Sequence, residues 1–253
     1  ESILSIQGTG LSAGRVDINY LEAFCRAGSH DREWKDTLIS HNTVLLSGDA
    51  GGTRLHLESE LSDGGVVSHV ITSAGDEIDF HLTAHNPTEA ESEVHWAQPC
   101  IRVGAFTGLE DVEDPYVYIR KCFVFLDNEL TRMPTPGWNT SARYTPGQVW
   151  CPRDVPRADV NPRPLNGLVP SNGLIGCFSR DDETILATAW EPYQELFQGV
   201  IQCIHSDFRI GGLKPGESKH IRGRIYILGS DVGALLHRYK KDFPEHAAGE
   251  PSD

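Results

Sequence analysis

Short runs in which apolar and polar residues alternate occupy most of this sequence and limit the folds open to it. In residues 53–61, three leucines alternate with His56, Glu58 and Glu60, and residues 79–85 show the same pattern. Successive side chains of a β-strand point to opposite faces, so each run predicts a strand with one buried and one exposed face. The chain is therefore predicted to be rich in β-strands.

The breaks between these runs favour antiparallel pairing. They are rich in Gly and Asp, as at residues 48–52 and 62–65, and they have the length of hairpin turns rather than of helical crossovers. Further strands are predicted at residues 94–103, 116–126, 174–179, 185–189, 200–210 and 220–228. We expect a single all-β domain over residues 1–253, a large antiparallel β-sandwich.

One helix is predicted near the C-terminus, at residues 231–243. Apolar residues recur there at helical spacing, and Pro244 ends the pattern. We expect this helix to cover one end of the sandwich. Residues 247–253 are small and polar, and they are predicted to form a flexible tail.

Residues 127–172 interrupt the strand pattern with a proline-rich insertion. Eight of the fifteen prolines fall here, together with aromatic and arginine side chains such as Trp150 and Arg153. Loops of this length in a compact domain tend to be lids or binding loops, and proline lowers the entropy lost when such a loop is ordered. We interpret the insertion as lid-like. The alternative is a loop that only covers a sheet edge.

The charge of the chain argues against two classes of partner. Its net charge is -14 at pH 7, whereas nucleic acids and anionic membranes call for a basic surface. A neutral ligand, or an anionic one held by local arginines, fits better. The sequence has no run of 18 apolar residues and does not begin with a signal-peptide pattern. A soluble protein is expected, periplasmic or secreted if a leader has been removed.

The six cysteines show no C-x-x-C spacing, which weakens a structural zinc site. Cys100, Cys122, Cys177 and Cys203 lie in apolar, strand-like runs, where a free cysteine usually behaves as a small buried hydrophobic residue. Burial is therefore predicted for these four. Disulfides and metal thiolates are the alternatives.

Residues 201–210 form the most informative predicted strand, because its two faces differ in chemistry. One face carries Cys203, His205, Asp207 and Arg209, whereas the other is apolar. His205 can accept or donate a proton near neutral pH, Asp207 can orient it, and Arg209 can hold a carboxylate or a developing oxyanion. A metal ion bound by His205 is a second possibility. The third is a solvated sheet face without a site.

A second strand is predicted to supply substrate contacts. Trp96, Gln98 and Arg102 share one face of residues 94–103. A tryptophan beside an amide and a guanidinium resembles a sugar platform, because the ring stacks on the sugar while the polar groups bind its hydroxyls. The alternative is a core tryptophan whose polar neighbours are satisfied locally.

The segment that precedes the His205 strand is predicted to complete the site. It contains Trp190, Tyr193, Gln194 and Glu195 within six residues. Glu195 or Glu191 is expected to be the acid/base partner of His205 or a metal ligand, and hairpin pairing favours Glu195. Tyr193 is suited to protonate a leaving oxygen, and Trp190 and Gln194 are expected to contact substrate. The alternative is a polar turn with a tryptophan anchor.

The end of the chain resembles a known fold group. After His205 come a tight turn, Gly-Gly-Leu-Lys-Pro-Gly-Glu at residues 211–217, and the strand Ile-Arg-Gly-Arg-Ile-Tyr-Ile at residues 221–227. This pattern resembles the closing hairpin of galactose-mutarotase-like β-sandwiches, also called supersandwiches. The resemblance implies a wide concave sheet that binds sugars, with catalytic His, Glu, Arg and Tyr on its strands in epimerases, lyases and some hydrolases. Parts of the chain also resemble a bacterial family of uncharacterised proteins.

These observations together predict a carbohydrate-active enzyme that performs acid/base chemistry on the polar face of a β-sheet, by elimination, hydrolysis or isomerisation. Lyase and glycosidase activity both fit, and one divalent metal ion bound by His205 is a candidate cofactor. The proline-rich insertion departs from the mutarotase pattern and leaves the reaction type open. The alternative function is a non-catalytic carbohydrate-binding module, for which the aromatic side chains suffice.

Overall fold

Two antiparallel β-sheets face each other across a shared apolar core in the computed structural model. The structure describes residues 2–8, 10, 11, 13–114, 116–139, 147–161, 165–199 and 202–247. Seven strands form the smaller sheet and nine form the larger one. The predicted all-β sandwich with antiparallel pairing is confirmed.

The strands are β1 (Ile3–Gln7), β2 (Arg15–Cys25), β3 (Leu38–Ile39), β4 (His41–Gly48), β5 (Arg54–Leu61), β6 (Val66–Ala74), β7 (Glu77–His85), β8 (Trp96–Arg102), β9 (Cys122–Leu126), β10 (Glu129–Arg132), β11 (Val149–Trp150), β12 (Ile175–Phe178), β13 (Thr184–Glu191), β14 (Tyr193–Gln198), β15 (Cys203–Arg209) and β16 (Ser218–Gly229). The smaller sheet has the order β1-β2-β8-β15-β14-β11, with β3 paired to β2. The larger sheet has the order β10-β9-β12-β13-β16-β7-β6-β5-β4.

Several elements differ from the sequence prediction or were not predicted. Residues 116–126 begin with a 3-10 turn at Val117–Lys121, in which Tyr118 and Ile119 are both buried. A strand would place these neighbouring side chains on opposite faces. β2 was not predicted as a strand, and β14 lies where a polar turn was the alternative. β14 is buried along its whole length and most of β2 is buried, so neither shows the polar alternation that marks a half-exposed strand.

Aromatic rings from both sheets meet in the core. Trp190 on β13 packs against Phe208 of β15, with ring centroids 4.6 Å apart, and against Phe80 of β7 at 5.2 Å. Gly223 lies directly opposite Trp190 on β16, and a Cβ there would lie 2.5 Å from the Trp190 Cδ2 atom. The absence of a side chain at residue 223 therefore creates the space that the indole fills.

The C-terminal helix covers the outer face of the larger sheet. The predicted C-terminal helix is present as α3 (Val232–Asp242), after α1 (Trp34–Thr37) and α2 (Gly104–Thr107), and α4 (Pro244–Ala247) follows it. The Asp231 side chain caps α3 by accepting a hydrogen bond from Ala234 N at 2.9 Å. Residues 248–253 of the predicted tail lie outside the described residues. Within the described chain, no helix is long and apolar enough to cross a membrane.

Two segments cover the outer face of the smaller sheet. Val149, Val155 and Val160 pack against Phe197 of β14, and Trp34 packs beside Trp96 of β8. The described part of the proline-rich insertion thus supplies one cover. The insertion also contributes β10 to the edge of the larger sheet. Its role as a lid stays a prediction.

We predict that Gly223→Ala destabilises the fold by roughly 1–3 kcal/mol, because the added methyl group overlaps the Trp190 ring. The measurement is the free energy of unfolding from urea denaturation. Gly229→Ala on the same strand is the matched control, since no atom lies within 4 Å of a Cβ at that position. Equal stabilities of the two variants would contradict the close packing of Trp190.

Candidate functional site

The strand that carries His205 lies in the middle of the smaller sheet, between β8 and β14. Glu195 on β14 is paired directly with Asp207. On the other side, Arg209 pairs with Trp96 and Cys203 pairs with Arg102, so the same register places Gln98 opposite Asp207. Side chains of directly opposed residues share a face. Gln98, Asp207 and Glu195 therefore form one row across the outer face of the sheet.

A second row lies one step along the strands. The register places Cys100 of β8 opposite His205, and Phe197 of β14 is paired with His205 on the other side. The rings of His205 and Phe197 stack, with centroids 4.2 Å apart and an interplanar angle of 6°. This stacking fixes the plane of the imidazole and leaves its two nitrogens directed along β15.

Cys203, His205 and Asp207 contact one another in order along β15. The Cys203 Sγ atom lies 3.2 Å from His205 Nε2, and Asp207 Oδ1 lies 3.5 Å from His205 Nδ1. Burial lowers the pKa of His205, but the neighbouring Cys203 and Asp207 outweigh it and raise the pKa to about 10. The hydrogen bond with Cys203, together with burial, raises the pKa of the Cys100 thiol.

This polar face is buried, which differs from the open face of a sheet that the alternation suggested. His205 is 1% exposed, and Asp207 and Glu195 are 0% exposed. These side chains are buried because the proline-rich insertion and the Trp34 segment cover the outer face of the smaller sheet. Asn161 N in the proline-rich insertion donates a hydrogen bond of 2.8 Å to Glu195 Oε2, so the insertion contacts the site directly.

Asp159 connects the insertion to the end of β15. Its carboxylate accepts hydrogen bonds from Arg209 at 3.1 Å and from the backbone N of Gly28 at 2.8 Å. Gln194 accepts a hydrogen bond of 2.7 Å from Arg209 and donates one of 3.0 Å to the Asp159 carbonyl. The Arg209 guanidinium is thus held in a fixed orientation at one end of the buried row.

An open cleft of about 520 Å³ lies beside this ion pair. Its lining includes His95, Arg26 and Lys219, and His95 Nδ1 lies 3.8 Å from Asp159 Oδ2. Burial lowers the pKa of His95. His95 therefore connects the cleft to Asp159, which contacts Arg209 at the end of the buried row.

The structure brings together six of the predicted site residues and separates the others. His205, Asp207, Glu195, Gln98, Gln194 and Arg209 lie on or beside the two rows. Tyr193 is paired with Phe208 and belongs to the main core, on the other face of the sheet. Arg102 is exposed at the far end of β8.

The two predicted tryptophan platforms are both buried. Trp190 lies in the core between the sheets, and Trp96 lies beneath Trp34 with its Nε1 donating a hydrogen bond to Ser29 Oγ at 2.9 Å. They are 2% and 0% exposed, respectively. Neither ring presents a face to solvent.

Sequence reasoning misses three residues of this cluster. Asp159 and Asn161 lie in the insertion, where no periodicity relates them to β14 or β15. Cys100 shares a face with Gln98 in the sequence pattern, but only the register of β8 against β15 places it opposite His205. One ligand atom each from Cys100, Cys203 and His205 lie within 4.8 Å of one another, so these three residues could hold a metal ion.

No protein-family model matches the sequence, and no curated protein matches it significantly. Among solved structures, the chain is similar to a candidate aldose 1-epimerase from Escherichia coli K12, with 14% identity, a TM-score of 0.45 and coverage of 87% of this chain and 86% of that chain. It is also similar to a galactose mutarotase-like protein from Lactobacillus casei, with 10% identity, a TM-score of 0.40 and coverage of 85% of both chains.

A third similar structure is the Slr1438 protein of Synechocystis, with 9% identity, a TM-score of 0.46 and coverage of 85% of this chain and 78% of that chain. One of these three structures is thus named as galactose mutarotase-like. The likeness is one of fold alone, and it assigns no activity or residue role to this chain.

We predict that Asp159→Ala lowers the free energy of unfolding by about 3 kcal/mol, because it leaves the partly buried Arg209 guanidinium without its carboxylate. Urea denaturation measures this change. Asp154→Ala in the same segment is the control, because Asp154 is exposed and its removal should change stability by less than about 0.5 kcal/mol. A similar small change for both variants would show that the Asp159 contact does not hold the insertion.

Proposed function

We propose that this chain is a carbohydrate-active enzyme that performs acid/base chemistry at the row formed by Gln98, Asp207 and Glu195, next to His205. The observation that supports the proposal is the burial of three ionisable side chains at neighbouring positions of two paired strands. Buried ionisable groups lower stability unless they are compensated, and such groups concentrate at catalytic sites.

Each residue has a role that follows from its position. Glu195 is the proton donor, since its carboxylate lies opposite Asp207 and is oriented by the Asn161 backbone N–H. Because its pKa is raised, His205 must first lose a proton before it acts as a base or as a metal ligand, and Asp207 orients its ring through Nδ1. Tyr193 has no part in this proposal, because it lies on the core face of the sheet.

A sugar is the substrate class that suits the polar groups around this row. Gln98 Oε1 is buried and has no hydrogen-bond partner among the described residues, so it is an acceptor available to a ligand hydroxyl. Arg209, fixed by Asp159 and Gln194, supplies a positive charge at the end of the row. Amides that both donate and accept are well suited to the hydroxyl groups of a carbohydrate.

Access to the row requires the covering segment to separate from β14. The hydrogen bond between Asn161 N and Glu195 links the two, and it would break as substrate enters. This requirement is consistent with the lid-like role predicted for the proline-rich insertion. A binding module would instead need an exposed aromatic platform, and Trp96 and Trp190 are both buried.

We predict that Glu195→Gln lowers kcat/KM by roughly 10²- to 10⁴-fold, because the amide cannot transfer a proton. His205→Ala should abolish turnover in either of its roles. The assay uses NMR and mass spectrometry on three substrate panels: aldoses for anomer interconversion or epimerisation, uronate oligosaccharides for elimination, and neutral oligosaccharides for hydrolysis.

Glu60→Gln is the matched control, since Glu60 is exposed on the larger sheet and should leave turnover unchanged. Circular dichroism and urea denaturation confirm that each variant is folded. Wild-type turnover in Glu195→Gln would remove the proposed proton donor. A wild-type chain that binds sugars and converts none of them would be a binding module instead.

A further inference from the structure

Two thiols and an imidazole converge on the outer face of the smaller sheet. One ligand atom from each of Cys100, Cys203 and His205 lies within 4.8 Å of the other two, and all three residues are buried. A tetrahedral zinc ion with bonds of 2.0–2.3 Å to nitrogen and sulfur holds its ligand atoms about 3.5 Å apart. The observed 3.2 Å between Cys203 Sγ and His205 Nε2 is close to that separation.

The sheet itself produces this convergence. Cys203 and His205 are two residues apart on β15, so their side chains leave the same face, and the register places Cys100 opposite His205 on β8. The C-x-H sequence and the single cysteine on the neighbouring strand do not match a zinc-finger spacing. Strand pairing therefore assembles a ligand set that sequence spacing does not reveal.

The surroundings orient His205 as a ligand. Asp207 Oδ1 lies near Nδ1, which leaves Nε2 directed toward the sulfur of Cys203. Metal-binding histidines commonly have a carboxylate on the ring nitrogen that does not bind the metal. The stacked Phe197 ring fixes the imidazole plane.

Gly199 closes one side of the cluster. A Cβ at this position would clash with Cys203 Sγ and would lie 2.9 Å from His205 Nε2. The Tyr118 hydroxyl lies 2.7 Å from the Gly199 carbonyl oxygen and 3.1 Å from that of Cys203, which holds this backbone in place. The Gly199 backbone therefore lies so close to Cys203 Sγ and His205 Nε2 that a side chain at this position would not fit.

We propose that Cys100, Cys203 and His205 bind a thiophilic divalent metal ion, zinc or an ion of similar chemistry. Binding forms two metal–sulfur bonds and one metal–nitrogen bond, and the two thiols and the His205 imidazolium each release one proton to solvent. Two thiolates and a neutral imidazole carry two negative charges, which a divalent cation balances inside a buried site. Three protein ligands leave a fourth tetrahedral position for water or substrate.

The proposal stands on the ligand geometry and does not depend on the substrate class. Of the two roles that the proposed function gives His205, base and metal ligand, the metal site selects the metal ligand. Glu195 remains the proton donor. The chief competing state is a disulfide between Cys100 and Cys203. All six cysteines are free in this structure.

The decisive experiment measures metal binding without any substrate. The full chain is reduced, stripped with a chelator and titrated with Co²⁺, whose bonds to thiolate give a charge-transfer absorption band, and Zn²⁺ is then added as a competitor. We expect one Co²⁺ per chain, a sulfur-to-cobalt band and complete displacement by Zn²⁺. Inductively coupled plasma mass spectrometry measures the metal content of the chain before stripping.

Variants then locate the site. Cys100→Ser, Cys203→Ser and His205→Gln should each weaken binding by more than 100-fold, and Asp207→Asn should weaken it by roughly 10- to 100-fold. Cys177→Ala is the matched control, because Cys177 is an equally buried free thiol in the larger sheet, and it should bind as the wild type does. Gly199→Ala should also weaken binding, although it keeps every ligand.

If the wild-type chain gives no sulfur-to-cobalt band, that result alone contradicts the proposal. So does wild-type binding by Cys100→Ser, or a mass under non-reducing conditions that shows a Cys100–Cys203 disulfide as the native state. Metal binding in a chain whose Glu195→Gln variant keeps full turnover would support this inference and contradict the proposed enzyme mechanism. Loss of turnover in Glu195→Gln, in a chain that binds no metal, would support the proposed enzyme mechanism and contradict the metal site.

Discussion

The central strands of the smaller sheet, β8, β14 and β15, are buried on both faces, and their outer face carries ionisable side chains, so the cover and the sheet depend on each other. An ionised group that leaves water loses several kcal/mol of hydration unless it finds partners. Here Asp207 lies beside His205, Glu195 accepts from the Asn161 backbone, and Arg209 pairs with Asp159. Two of these contacts come from the proline-rich insertion. The insertion therefore completes the electrostatics of the sheet as well as its packing.

The two proposals for this face concern different atoms of the same strand. The metal site uses one row, in which Cys100 lies opposite His205, whereas proton transfer uses the next row, in which Glu195 lies opposite Asp207. Asp207 connects them, because it orients His205 along the strand and faces Glu195 across it. An ion bound at the first row would lie beside the row that carries the proposed proton donor, where it would supply a Lewis acid.

The sequence predicts some of the strands with one exposed face well, although the partly exposed strands β1, β4 and β6 were not predicted. β5 and β7 show clear alternation, and their boundaries follow the prediction closely. β14 is difficult to recognise from the sequence. Both of its faces are buried, so it shows no alternation, and its polar residues suggest a turn. For the same reason the sequence does not show that Trp190 and Tyr193 point into the core. His205 and Asp207 were accessible to prediction because they share one face of a strand, whereas Asp159 and Asn161 reach the site through an aperiodic segment.

The order of strands also determines how much of the chain must exist before the site can form. β4 to β7 are successive hairpin neighbours, so this part of the larger sheet is complete by His85. In the smaller sheet, by contrast, Asn19 pairs with Cys100 and Ile101 pairs with Ile204. Any N-terminal fragment that stops short of Cys203 lacks the strand that carries His205 and Asp207. During synthesis, the candidate site can therefore assemble only after β15 (Cys203–Arg209) has been made.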